Sequence, residues 1–117
     1  MQLKLSTRTE QGVVIVDCAG RIVFGEESSY LRDTVKQLLL ETKRLIINLG
    51  EVSYIDSGGL GTLVSLYTSA QKAGASVRLA NLTKRVGDVL QVTKLLTVFD
   101  VYDNEKKALD AFRGVAV

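Results

Sequence analysis

Val52-Ser53-Tyr54-Ile55-Asp56-Ser57-Gly58-Gly59-Leu60-Gly61-Thr62-Leu63-Val64 decides the fold. It runs from the end of an apolar strand, through a short loop, into a helix. Leu60, Leu63, Val64 and Tyr67 recur at i, i+3, i+4 and i+7, which predicts a helix over 57–74 with Gly74 as its stop after Lys72. Asp56 and Ser57 both suit an N-cap. Gly58, Gly59 and Gly61 fall where glycine is a poor helix former, each costing about 0.5–1 kcal/mol against alanine. Two explanations are open. The glycines relieve crowding behind a plain cap, or they let a ligand or partner approach the first-turn N–H groups, which favour an anion.

Three phosphate and acyl-transfer motifs do not fit here. No Gly-Lys-Ser/Thr follows, against a Walker loop. The glycine spacing and the opening hairpin disagree with a dinucleotide fingerprint. A serine nucleophile elbow needs differently placed glycines and a base, and the chain has no histidine.

Outward from this stretch, strands and helices alternate. Leu3 and Leu5 alternate with Gln2, Lys4 and Ser6, as in a half-buried strand. Val13-Val14-Ile15-Val16 reads as a buried strand, with Glu10-Gln11-Gly12 as the hairpin turn between them. Gly20 to Gly25 reads as a transition. From about Glu26 a helix presents Leu31, Val35, Leu38 and Leu39 on one face. Leu45, Ile46, Ile47 and Leu49 form the next buried strand. Ile47-Asn48-Leu49 and Ala80-Asn81-Leu82 each read as a strand end before a helix. Val77 and Leu79 mark a strand, Val86, Val89 and Leu90 a short helix, Val98 to Val101 a short strand, and Glu105 to Phe112 a last helix. The order β-β-α-β-α-β-α-β-α implies an α/β fold with about four helices. Its sheet is mixed but mostly parallel, opened by an N-terminal β-hairpin.

Composition narrows the function. The chain has 117 residues, a length for one domain over 1–117, and its net charge of +2 lacks the basic excess of a nucleic-acid binder. Without histidine there is no imidazole for acid, base or metal chemistry. Cys18 stands alone, so neither an intrachain disulfide nor a cysteine zinc cage can form, and it suits a reducing cytoplasm. No apolar run approaches the ~20 residues that span a bilayer, and the opening residues lack the apolar core of a secretory signal. We expect a non-enzymatic cytoplasmic module with no cofactor, no metal, no direct nucleic-acid contact and no membrane insertion.

Ile55-Asp56-Ser57-Gly58-Gly59-Leu60-Gly61, between an apolar strand and an amphipathic helix, resembles the signature of the STAS domain. The resemblance covers nearly the whole chain. It takes in the opening strands, Gly20 after the second strand, the helix near Leu31, the strand ending at Asn48 and the later βα units. Stand-alone members are bacterial anti-sigma factor antagonists. The resemblance implies that Ser57 is a phosphoacceptor. It also implies that Asp56, Ser57, Gly58, Gly59, Leu60 and Gly61 face the partner. That partner is an anti-sigma factor with serine kinase activity, bound by the unphosphorylated antagonist so that a sigma factor is freed, and a phosphatase resets the switch. Two positions depart from the pattern. Gly58 stands where the family usually has Ser or Ala, and Arg21-Ile22-Val23-Phe24 follows Gly20 without the acidic residue often seen there.

Two other roles are open to such a chain. One is a cytosolic STAS subunit of a transporter or larger signalling complex. The other is a receiver-like protein phosphorylated on Asp56, although receivers carry an acidic pair after the first strand and this strand reads Leu3-Lys4-Leu5-Ser6. Elsewhere, Glu26-Glu27 reads as a solvated helix start. Asp100, Asp103 and Glu105 read as strand-end and capping groups rather than metal ligands. Lys84-Arg85 and Lys106-Lys107 read as solvated pairs, and Cys18 as core packing. Phe24 and Tyr54 lie near the Ser57 end, where exposure would favour a partner.

Overall fold

A computed structural model describes residues 1–114. The last three residues of the 1–117 domain lie outside the described residues. The chain runs β1 (Leu3–Glu10), β2 (Val13–Ile22), α1 (Glu26–Leu39), β3 (Arg44–Ile55), α2 (Ser57–Lys72), β4 (Ser76–Ala80), α3 (Lys84–Val92), β5 (Asp100–Tyr102) and α4 (Glu105–Phe112). The five strands form one sheet in the order β1-β2-β3-β4-β5. β1 and β2 are antiparallel, and every later pairing is parallel.

The sheet is covered on both faces, which explains the continuous apolar runs of its central strands. Leu45, Ile47 and Leu49 of β3 pack in one core with Leu31 and Val35 of α1, Leu63 and Leu66 of α2, and Val86 and Leu90 of α3. Val13, Ile15 and Ile46 face the other way, against Ala108 and Leu109 of α4. Two arginines hold α4 in place. Arg8 bridges Asp17 (2.7 Å) and Glu105, and Arg78 lies 4.3 Å from the Phe112 ring centroid.

Both central strands run further than their apolar cores. β2 continues through Gly20 to Ile22, where a transition was expected, and β3 continues past Asn48 and Leu49 to Ile55. The extra lengths pair with each other: Ala19 with Glu51, Gly20 with Val52, Arg21 with Tyr54 and Ile22 with Ile55. β4 pairs only with Arg44–Asn48, so β3 overhangs it by its last residues. There Thr83, the N-cap of α3, donates its hydroxyl to the Val52 carbonyl at 3.0 Å. Gly20 is the hinge of this extension. It has φ 116, register shifts flank it, and a Cβ there would run into the Gln2 carbonyl.

The helix starts are also more specific than the sequence suggests. Glu27 is not solvated: it is buried, and its carboxylate accepts the Gln2 amide at 2.8 Å. That bond holds its carboxyl below the ordinary range, helped by the nearby Arg21 charge. Asn104, not Asp103, caps α4, its side chain accepting from Lys107 N. Asp103 pairs with the Lys107 ammonium instead. The hairpin turn places Gln11 as well as Gly12 at positive φ, 55 and 80, matching the twist of the flanking strands.

Candidate functional site

β2 and β3 are parallel and end side by side at Ile22 and Ile55. The chain therefore leaves the sheet twice at the same edge, once into α1 and once into α2. Asp56 alone separates β3 from α2. It is extended (φ −106, ψ −177), and its Oδ1 accepts the Gly59 amide at 2.8 Å, the N-cap bond of α2. The Phe24 amide, from the β2–α1 loop, donates to the same carboxylate at 3.1 Å. The Asp56 amide in turn donates to the Ile22 carbonyl at 3.3 Å. Asp56 thus ties the two loops together. The Gly59 amide, more than the others, holds its carboxyl below the usual carboxylate range against the opposing effect of desolvation.

Ser57 is the first residue of α2 and is exposed. Its hydroxyl stands at the positive end of a 16-residue helix with no acidic side chain in its first turn. A groove of about 400 Å³ opens beside it between α1 and α2, lined by Phe24, Ser29, Arg32, Ser57, Gly61 and Ser65 among others.

The three glycines separate by role. At Gly59 a Cβ would overlap the Ile22 carbonyl, so the chain's own backbone requires glycine there. At Gly58 a Cβ would lie 2.6 Å from Phe24 Cβ and 2.9 Å from its Cα. The glycine accommodates the Phe24 loop. At Gly61 nothing lies within 4 Å, and the position is exposed. The six residues expected to face a partner therefore divide. Asp56, Ser57, Gly58 and Gly61 reach the surface, whereas Gly59 and Leu60 are buried, Leu60 being 8% exposed. Ile22 covers Gly59, and Leu60 joins the core under α2.

The two aromatics differ. Phe24 is 81% exposed on the loop above Gly58. Tyr54 is half-buried, and two guanidiniums, Arg21 and Arg85, each lie over its ring, 5.1 Å from the centroid. Sequence reading missed this stack. Arg21 meets Tyr54 only because both strands run past their apolar cores, and Arg85 comes from α3, 31 positions on. Among the described residues no group of three or more His, Cys, Asp or Glu side chains could hold a metal ion. No helix there is long and apolar enough to cross a membrane.

Comparison with known proteins agrees with this arrangement. The STAS domain family matches residues 4–108. The anti-sigma-B factor antagonist of Bacillus subtilis is 30% identical over 102 residues, covering 86% of this chain and 92% of that protein. The structure of an anti-sigma factor antagonist from Mycobacterium paratuberculosis superposes with a TM-score of 0.82 at 21% identity, covering 95% of this chain and 94% of that one. The unphosphorylated anti-sigma factor antagonist SpoIIAA gives 0.77 at 18%, covering 97% and 100%. The phosphorylated form of Bacillus SpoIIAA gives 0.69 at 16%, covering 93% and 99%. With the family matched over most of its length and the α2 entry built on Asp56, Ser57 and Gly59, the chain belongs to the STAS domain family.

Proposed function

We propose that this chain is an anti-sigma factor antagonist switched at Ser57. Acting in the cytoplasm as one STAS domain over 1–117, the unphosphorylated protein binds an anti-sigma factor with serine kinase activity and thereby releases a sigma factor. The kinase transfers phosphate from ATP to Ser57 and ends the interaction, and a phosphatase restores it. The chain's own part is binding and display rather than catalysis.

One observation carries the reading: the Ser57 hydroxyl is exposed at the start of α2 while the adjacent Asp56 carboxylate is occupied by two backbone amides. An incoming kinase can reach the hydroxyl without opening the fold. Acyl phosphorylation of Asp56, by contrast, would remove the acceptor that caps α2. The match over 92% of the Bacillus subtilis antagonist supports an antagonist over a transporter subunit.

The switch follows from charge. Phosphate adds about −1.5 to −2 charges. The helix N-terminus favours it by about 0.3–1 kcal/mol, so the fold tolerates it. A partner carboxylate ~4 Å away, at an effective dielectric near ~20, meets a repulsion of order 4 kcal/mol per unit charge pair. At ~1.4 kcal/mol per tenfold, affinity falls a hundredfold or more.

The test is phosphorylation by the cognate kinase with ATP, followed by mass spectrometric mapping. One phosphate on the peptide carrying Ser57, absent from Ser57→Ala protein and stable to hydroxylamine, is the expected result. Modification elsewhere, persistence in Ser57→Ala, or hydroxylamine lability rejects Ser57 as the acceptor.

A further inference from the structure

The Arg21–Tyr54–Arg85 stack is a charged feature that the phosphoserine switch does not use. Both arginines are exposed, and both lie against the Tyr54 ring on the β3 overhang, the same sheet edge that carries Ser57. Neither side chain makes an ion pair or hydrogen bond among the described residues. Arg8, Arg32 and Arg113, in contrast, each meet a carboxylate. Glu27 feels the Arg21 charge, but its carboxylate is engaged by the Gln2 amide. Lys84, next to Arg85, is matched by Asp88 at 2.9 Å.

A guanidinium stacked on an aromatic spends its flat face and keeps its N–H edge free for a planar acceptor. Stacking also fixes the side chain, so less conformational freedom is lost when that edge is used. Two such edges, one from β2 and one from α3, are set around one ring.

We propose that the Arg21–Tyr54–Arg85 stack docks an acidic segment of the protein partner, with carboxylates meeting the two guanidinium edges. This rests on the reading of the Ser57 edge as the partner-facing surface. Charge complementarity selects the occupant. Two positive charges at one ring, beside a lysine already matched, suit a short carboxylate-bearing segment. A nucleic acid would call for a longer basic stripe, and the chain's net charge is only +2.

The experiment is an NMR titration of the unphosphorylated protein at low ionic strength with an N-acetylated hexaglutamate peptide, following the Arg21 and Arg85 side-chain Nε–H signals. A single-stranded hexathymidylate is titrated in parallel. Both arginine signals are expected to shift with the peptide. Arg21→Gln with Arg85→Gln should weaken binding about tenfold. Lys36→Gln with Lys72→Gln, which removes the same charge from exposed positions elsewhere, should leave it unchanged. Backbone spectra of each variant establish that it is folded. Three results overturn the proposal: unshifted arginine signals, equal weakening in both double variants, or tighter binding of the oligonucleotide than of the peptide. The titration needs neither kinase nor phosphate. Its failure leaves phosphorylation of Ser57 standing, and failure of Ser57 to be phosphorylated leaves the titration result standing.

Discussion

Glycine at the start of α2 does three different jobs, and alanine substitution separates them. At Gly59 an added Cβ collides with the Ile22 carbonyl, which is backbone and can yield only if β2 shifts. Overpacking of a well-filled site costs about 1–3 kcal/mol, and collision with backbone belongs at the upper end. Gly59→Ala is therefore expected to lose ~3 kcal/mol in urea unfolding. Gly61→Ala meets nothing within 4 Å and removes a poor helix former, so it should gain about 0.5–1 kcal/mol. Equal effects at the two positions would contradict the geometry. Asp56 offers a second residue-level test. Its carboxyl is held low by the amides it caps, so its contribution is present above the unfolded pKa of ~4 and disappears as pH falls through the folded value. Asp56→Ala should cost about 0.5–2 kcal/mol at pH 7. The gap between the two proteins should narrow in unfolding experiments run progressively below pH ~4, and a gap constant with pH would rule out the ionised cap.

Between elements, the tie that closes the far face of the sheet is Arg8. It links β1 to Asp17 on β2 and to Glu105 at the start of α4. These charges are partly exposed, and screening discounts them. Arg8→Ala is expected to cost ~1 kcal/mol at low salt and less in 1 M salt, with faster amide hydrogen exchange confined to α4. Faster exchange spread over α1 and α2 instead would mean that Arg8 supports the whole sheet. The same scale shows what the sequence made legible. Apolar runs located β2 and β3 because a strand covered on both faces has no polar side, and α4 fell on its expected bounds, Glu105–Phe112. The ends of β2 and β3 were hidden. Gly20 reads as the start of a transition, and Glu51 and Ser53 interrupt the apolar pattern after Leu49, although backbone pairing carries both strands to Ile22 and Ile55. Val98 was read as strand but is exposed, and β5 begins only at Asp100. Phe99 just before it packs edge-on against Tyr67 of α2, 5.7 Å between centroids. At the site, the capping role of Asp56 was legible from local chemistry. The burial of Gly59 and Leu60 was not, because Ile22, which covers Gly59, is 37 positions away.

For the molecule as a whole, a switch that acts by surface charge requires a scaffold that does not respond to it. Ser57→Glu places a negative charge at the α2 N-terminus, where it is favoured by about 0.3–1 kcal/mol. Its Tm should therefore stay within a few degrees of the parent, whereas a large loss would tie the switch to unfolding. Cys18 supplies an internal gauge of that rigidity. The lone thiol is 1% exposed within the main core, and burial, with the Asp17 charge adding to it, pushes it up to about 12. The thiolate is the reactive form, so at neutral pH the folded protein should be nearly inert to an aromatic disulfide reagent. Labelling must then proceed through opening of β2, which is paired on both sides, with β1 and β3. Where reclosing outpaces labelling, the rate follows the equilibrium population of the open form. Each ~1.4 kcal/mol of stability lost should speed labelling tenfold. Gly59→Ala should react about a hundredfold faster than the parent, Gly61→Ala several-fold slower, and Ser57→Glu slower by no more than about fivefold. One common rate across all three would mean that β2 opens locally, without the helices that bury it.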